Sequence, residues 1–141
     1  MGWDTGKALK HLQKHANPAS QGKCAKYTRE AIEAGLDGAK VPRPPSTQAK
    51  DYGLGLQAAG FEQLPGMCGG FKEGDVAIIQ GFEGHPAGHM AMYDGSQWIS
   101  DFPQNNYVGR EGGLYPGNAY ADKRPDFRLY RWSPQSKWPG K

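Results

Sequence analysis

The spacing of hydrophobic and polar positions changes once along the chain. Up to about residue 60 the apolar residues recur at helical intervals: Ala8, Leu9, Leu12 and Ala16 fall on one stripe, Cys24, Tyr27, Ala31 and Ala34 on another. Asp4 or Thr5 is placed to cap the first helix. Asn17-Pro18 ends it, because the residue before a proline is pushed out of the helical region. Gly35 is a natural stop for the second. Residues 39–46, with three prolines, predict an extended connector. Ser46 or Thr47 then caps a third helix through Tyr52, Leu54, Leu56 and Ala59, weakened by Gly53 and Gly55.

Beyond residue 70 the period shortens. Asp75-Val76-Ala77-Ile78-Ile79-Gln80 predicts a short buried strand after the turn Lys72-Glu73-Gly74. Gly88–Tyr93 and Gln97–Asp101 flank Asp94-Gly95, a strong hairpin signal. Residues 102–125, rich in Gly, Asn, Pro and Tyr, predict one long surface loop, and Phe127–Trp132 alternates as a closing strand. Helices first and an antiparallel sheet after them predict an α+β fold. At 141 residues a single domain spanning 1–141 is expected, large enough for a core without metal or disulfide staples.

Composition narrows the function classes. The chain holds 21 glycines and 11 prolines, which form no repeat and mark it as loop-rich. Mean hydropathy is −0.77 and no apolar run approaches the roughly 18 residues of a membrane helix, so no membrane insertion is expected. The net charge of +3 comes from scattered basic residues rather than a dense stripe, which argues against nucleic acid. A weakly basic surface does suit an anionic polymer such as the bacterial cell wall. Met1-Gly2-Trp3-Asp4 lacks a charged-then-apolar leader, so delivery to a site outside the cytoplasm would fall to a secretion system or to lysis.

The chemistry-bearing residues are few. Cys24 stands in the first turn of its helix, where unpaired amides and the positive dipole end stabilise a thiolate, the nucleophile acyl transfer needs. His89 begins a strand and shares a face with Ala91 and Tyr93, where an imidazole can accept the thiol proton. Taken singly, a free cysteine is most often a small buried hydrophobe, and a strand histidine most often structural. The combination with a carboxylate returned by the hairpin is what points to catalysis. A three-residue turn centred on Gly95 puts Asp101 opposite His89 as the orienting third member, whereas a two-residue turn puts Ser100 there; Gln104 and Asn105 are fallbacks.

Gly22-Lys23-Cys24-Ala25-Lys26-Tyr27, Gly74-Asp75-Val76-Ala77-Ile78-Ile79 and Gly88-His89-Met90-Ala91-Met92-Tyr93 together resemble the papain-like NlpC/P60 and CHAP peptidoglycan amidases. In that family the nucleophilic Cys opens a helix, a Gly-Asp-hydrophobic strand follows, and the His starts the next strand. The resemblance implies N-terminal helices packed on a small antiparallel sheet. It makes Cys24 the nucleophile, His89 the general base and then acid, Asp101 the orienter and the Cys24 amide part of the oxyanion hole. The third position departs from the commonest NlpC/P60 pattern, a His. No metal or organic cofactor is implied. The implied substrate is peptidoglycan, lying between the Cys24 helix and the His89 hairpin. Within the superfamily, the compact chain looks like the amidase effectors that type VI secretion systems inject into rival bacteria, and phage or prophage lysis enzymes are similar in size. The protein would then act in the periplasm or cell wall of the target as a monomer, with an inhibitory immunity protein as a candidate partner.

Other features rank lower. His85 on the loop before His89, Trp98 on the hairpin and Gln104 after it are candidate substrate contacts. His11 and His15 are spaced i, i+4 but lack the zincin glutamate and a third ligand, so they read as solvated helix positions. Cys68, in a glycine-rich turn, reads as an incidental thiol; a disulfide to Cys24 would block the proposed chemistry. Two alternatives share the sequence: Cys-His acyl transfer or deamidation on another amide, and a non-catalytic wall-binding domain using its aromatic loop.

Overall fold

Two helices of the N-terminal third, α1 (Thr5–His15) and α2 (Cys24–Gly35), lie against one face of a five-stranded sheet in the computed structural model, which describes residues 3–18, 22–65, 71–104, 114 and 118–133. Asp4 caps α1 by accepting the Lys7 amide at 2.9 Å, and the helix stops two residues before Asn17. Leu9 and Leu12 of α1 and Ala31 and Ile32 of α2 meet Val76, Ile78, Met90 and Met92 in one continuous core.

The strands are β1 (Phe61–Leu64), β2 (Val76–Ile79), β3 (His89–Tyr93), β4 (Trp98–Ile99) and β5 (Phe127–Trp132), in spatial order β1-β5-β2-β3-β4 with every neighbouring pair antiparallel. The architecture is α+β. β2 is buried along its whole length because it packs on both faces: Val76 and Ile78 toward the helices, Ala77 and Ile79 toward a second cluster with Ala91, Trp98, Leu114, Tyr120 and Leu129. An unbroken apolar run is what a strand covered on both sides requires.

The structure departs from the pattern in four places. The expected third helix is broken at Tyr52 into a 3-10 turn, Ala49–Asp51, and a short helix α3, Gly53–Ala59. A Cβ at Gly55 would run into the Pro42 carbonyl, so glycine lets the proline connector cross the helix closely. β1 went unread because its burial is one-sided and its middle residues, Glu62 and Gln63, are exposed. The segment expected to be loop carries a helix, α4 (Asn118–Lys123).

The hairpin register is the fourth. Asp94 Oδ1 accepts the Ser96 and Gln97 amides, each at 2.8 Å, so the connection spans Asp94–Gln97 and pairs Met92 with Ile99 and Tyr93 with Trp98. Continued, that register would set Phe102, not Ser100 or Asp101, opposite His89. The strand ends first, at Ile99, and a tight return bridges Ile99 to Pro103.

Candidate active site

α2 and β3 are clamped together at the point where both begin. Thr28 Oγ1, one turn after Cys24, donates to the Met90 carbonyl, and Cys24 itself takes a backbone hydrogen bond from Met90. The thiol therefore stands over the first residues of β3, in hydrogen-bond contact with the His89 side chain. Gly88 lets the chain enter there: it has φ 75°, and a Cβ would collide with the Ile79 carbonyl and Lys50. Cys24 is a free thiol; Cys68 lies outside the described residues.

The imidazole is fixed from its other side. His89 Nε2 lies 2.8 Å from Gln104 Oε1, and Gln104 Nε2 donates to the Leu114 carbonyl at 3.0 Å. That carbonyl only accepts, so the amide nitrogen must face it and the amide oxygen must face the ring. Nε2 of His89 then carries the proton, and Nδ1 is the ring nitrogen left as a base for the thiol. The sharp return after β4, with the Gln104 amide donating to the Trp98 carbonyl at 2.8 Å, brings Gln104 to this position.

Electrostatics shift both groups toward the ion pair. Burial pushes the Cys24 thiol up, but the positive charge and hydrogen bond of His89 and the Met90 contact outweigh it, leaving the thiol below its ordinary 9.0. Burial likewise pushes His89 down, and Cys24 together with Gln104 reverses this, leaving the imidazole above its ordinary 6.5. Tyr120 of α4 packs its ring 5.8 Å from the His89 ring and donates its hydroxyl to the Gly88 carbonyl at 3.0 Å; burial, aided by the Cys24 charge, raises that hydroxyl to about 12.

The expected site residues are thus distributed unevenly. Cys24, His89 and Gln104 are brought together, and His85 stands exposed on the same groove, its ring 5.1 Å from Tyr120. Asp101, expected as the orienter, is placed at the start of α2. Its carboxylate accepts the Lys23 amide at 2.9 Å and the Ser100 hydroxyl at 3.3 Å, while its carbonyl accepts the Asn17 amide at 2.8 Å, so it caps α2 and ties the α1–α2 segment to the sheet. Its charge still raises both members of the pair. Trp98 is corrected as a substrate contact: it is 0% exposed, with its ring 4.9 Å from Phe71 and 5.0 Å from Tyr93. Asn105 lies outside the described residues. His11 and His15 stack on each other at 4.2 Å, and no group of three metal-ligating side chains occurs among the described residues.

Cys24 and His89 line a groove of about 940 Å³ between α2, the Arg43–Tyr52 segment and the loop before β3. Its wall includes Lys23, Lys26, Arg29 and Arg43, which looked scattered along the sequence. Tyr120 joins them only because α4 forms.

No family model matches the chain, and no curated protein matches it at a significant level. Solved structures do. The native effector-immunity complex Tae3-Tai3 of the type VI system of Ralstonia pickettii matches with 43% identity and a TM-score of 0.79, over 93% of this chain and 100% of that one. The selenomethionine form of the same complex matches at 44% identity and a TM-score of 0.74, over 88% and 98%. Ly7917 shares the fold at 15% identity and a TM-score of 0.57, over 91% of this chain and 62% of its own. Among the described residues no helix is long and apolar enough to cross a membrane. With 43% identity along almost its whole length, the chain belongs to the Tae3 family of type VI effectors.

Proposed function

We propose that the chain is a papain-like cysteine amidase that hydrolyses an amide bond in the stem peptides or cross-links of bacterial peptidoglycan. One observation carries the reading: a free thiol at a helix start, hydrogen-bonded to an imidazole that Gln104 holds in the basic tautomer, opens on a groove of about 940 Å³. The order of Cys-opening helix and His-opening strand is that of the NlpC/P60 and CHAP amidases. Membership of a type VI effector family supports an antibacterial target, and the cell wall is the polymer those amidases cut.

In this reading the Cys24 thiolate adds to the amide carbonyl. The oxyanion is met by the Cys24 amide, in the first turn of α2, where no intrahelical carbonyl is available. His89, protonated on Nδ1 by the thiol, gives that proton to the leaving amine as the C–N bond breaks. Water then enters, His89 takes one of its protons, and the hydroxide attacks the thioester. The acid is released and the thiol is restored. Gln104 orients the imidazole throughout. No step calls for a metal or organic cofactor.

The Ralstonia pickettii effector was crystallised with the immunity protein Tai3; this chain is read likewise as a toxin, delivered to the target's periplasm and neutralised by an immunity protein in its producer. The test is to incubate purified sacculi with wild type and Cys24→Ala and to identify released fragments by mass spectrometry. Fragments from wild type alone support the amidase and name the bond. A folded wild type that releases nothing sinks the cell-wall substrate, and toxicity that survives Cys24→Ala sinks catalysis in favour of wall binding.

A further inference from the structure

The groove wall is charged in one sense. Of its lining residues, Lys23, Lys26, Arg29 and Arg43 are cationic, and none is Asp or Glu. In a protein with 17 basic and 14 acidic residues, a wall drawn in proportion would carry nearly as many carboxylates as cations. Elsewhere some cations find carboxylates: Arg131 with Asp75 at 2.8 Å, Lys7 with Asp37 at 3.0 Å, Lys50 with Asp51 at 3.8 Å. Lys23, Lys26 and Arg43 have no side-chain ion pair among the described residues.

Arg29 is the most constrained of the four. Its side chain is only 12% exposed, yet its contact with Glu33 is a long single one of 3.4 Å, and its Nε is buried with no hydrogen-bond partner. Glu33 is already shared: its second oxygen accepts the Val41 amide at 3.0 Å, in the connector that also carries Arg43. A guanidinium offers five donors in a planar fork. Here one nitrogen meets Glu33 and Nε has no hydrogen-bond partner, so the fork can take a second planar anion, and a carboxylate matches it. Arg29 lies five residues after Cys24, about 7.5 Å along the helix axis. That is about two residues of extended peptide, so a carboxylate received there belongs to a neighbour of the scissile amide.

On the footing of the amidase reading above, we propose that Arg29 and Arg43 form a carboxylate-binding subsite, which selects peptide substrates carrying a free carboxylate beside the bond that Cys24 attacks. Lys23 and Lys26 add field but, being exposed, little geometry. Peptidoglycan stems supply such carboxylates as side-chain and terminal acids.

Two measurements test it separately. The first compares alkylation of Cys24 by iodoacetate, an anion, with alkylation by neutral iodoacetamide, read on the Cys24-bearing peptide by mass spectrometry. The ratio of the two rates should fall about two- to fivefold in Arg29→Gln and in Arg43→Gln. The second compares cleavage of muropeptides with free carboxylates against the same muropeptides converted to carboxamides. Wild type should favour the free acids by about 10- to 100-fold in kcat/KM, the worth of a charge-assisted bidentate contact, and Arg29→Gln should erase most of the preference. Arg43 is exposed, so its variant keeps the test alive if Arg29→Gln fails to fold. An alkylation ratio unchanged in the folded variants, or equal cleavage of acid and amide by wild type, overturns the subsite. If wild type cleaves no muropeptide, the peptidoglycan reading falls by itself. A ratio that still drops in the variants then assigns the subsite to a carboxylate-bearing amide of another kind.

Discussion

The paired strands β2 and β3 carry a buried polar cluster at each end, and the two clusters are built to opposite specifications. At the Val76–Met92 end, Asp75 is 1% exposed and gives both oxygens to the Arg131 guanidinium at 2.8 Å, with a third bond from the Lys72 amide at 2.8 Å. Arg131 stands on β5, so the pair fastens the start of β2 to the strand on its other side. At the Ile79–His89 end, the chain Leu114–Gln104–His89–Cys24 ends on a sulfur that lines an open groove. A closed polar cluster holds a fold together, whereas one that ends on a nucleophilic atom at a groove holds that atom ready.

Single substitutions should separate the two ends cleanly. Cys24→Ala is expected to lower fragment release from sacculi by about 10⁴-fold or more. Its melting temperature should stay within a few degrees of wild type, since a half-buried thiol becomes a methyl. Asp75→Ala should do the reverse. Removing the buried carboxylate from its pair costs about 3 kcal/mol, the low end of the range because Arg131 is partly exposed. That corresponds to a fall of roughly 10 °C in Tm, while turnover per folded molecule is retained. Parallel calorimetry and muropeptide assays read both, and a Cys24→Ala protein as unstable as Asp75→Ala would erase the contrast.

Within the reactive end, Gln104 is the next lever. In the amidase reading the pair works as thiolate and imidazolium, so activity should be lost as pH falls through the lowered Cys24 value and as it rises through the raised His89 value. The profile of kcat/KM should be a bell whose two limbs belong to the pair as a unit. Gln104→Ala removes one of the interactions that raises His89, so the alkaline limb should move to lower pH and kcat/KM should drop about 10- to 100-fold. Gln104→Glu places an anion on Nε2 and should move the same limb to higher pH. An alkaline limb that stays put in both variants would mean that Gln104 only fills space.

The two ends also differ in how legible they were. Cys24 and His89 could be found because each begins a secondary-structure element, and element starts leave local signals: the helix periodicity after Cys24 and the turn glycine before His89. Asp75 sits in the Gly-Asp-hydrophobic signature, yet its partner Arg131 is 56 residues away and nothing local links them. Gln104 was harder still. Its place depends on a four-residue hairpin connection fixed by the Asp94 side chain, followed by a return after only two residues of strand. Asp101, three residues before Gln104, instead accepts the Lys23 amide at the start of α2. The cationic groove wall was illegible for a similar reason: Arg29 and Arg43 come to line one groove only when the proline connector folds back over α2, and Glu33 accepting the Val41 amide helps to hold it there.

The smallest effect should come from Tyr120, which braces the reactive end without taking part in it. Its hydroxyl holds the Gly88 carbonyl, one residue before His89, and its ring lies edge-on to Phe82 at 4.9 Å. Raised to about 12, the hydroxyl stays protonated across the working range, so it acts as a fixed donor and adds no limb to the pH profile. Tyr120→Phe keeps the ring and removes that donor. The Gly88 carbonyl is half-buried at the groove wall, where water can replace the lost partner, so the cost should be about 1 kcal/mol. Because Gly88 sets the direction in which His89 enters β3, part of that loss should appear in catalysis, as a fall of about two- to fivefold in kcat with KM little changed. The positions of both pH limbs should not move, which distinguishes Tyr120 from Gln104. A shifted alkaline limb in Tyr120→Phe would place the hydroxyl in the proton-transfer chain, and the reactive end would then have four working members.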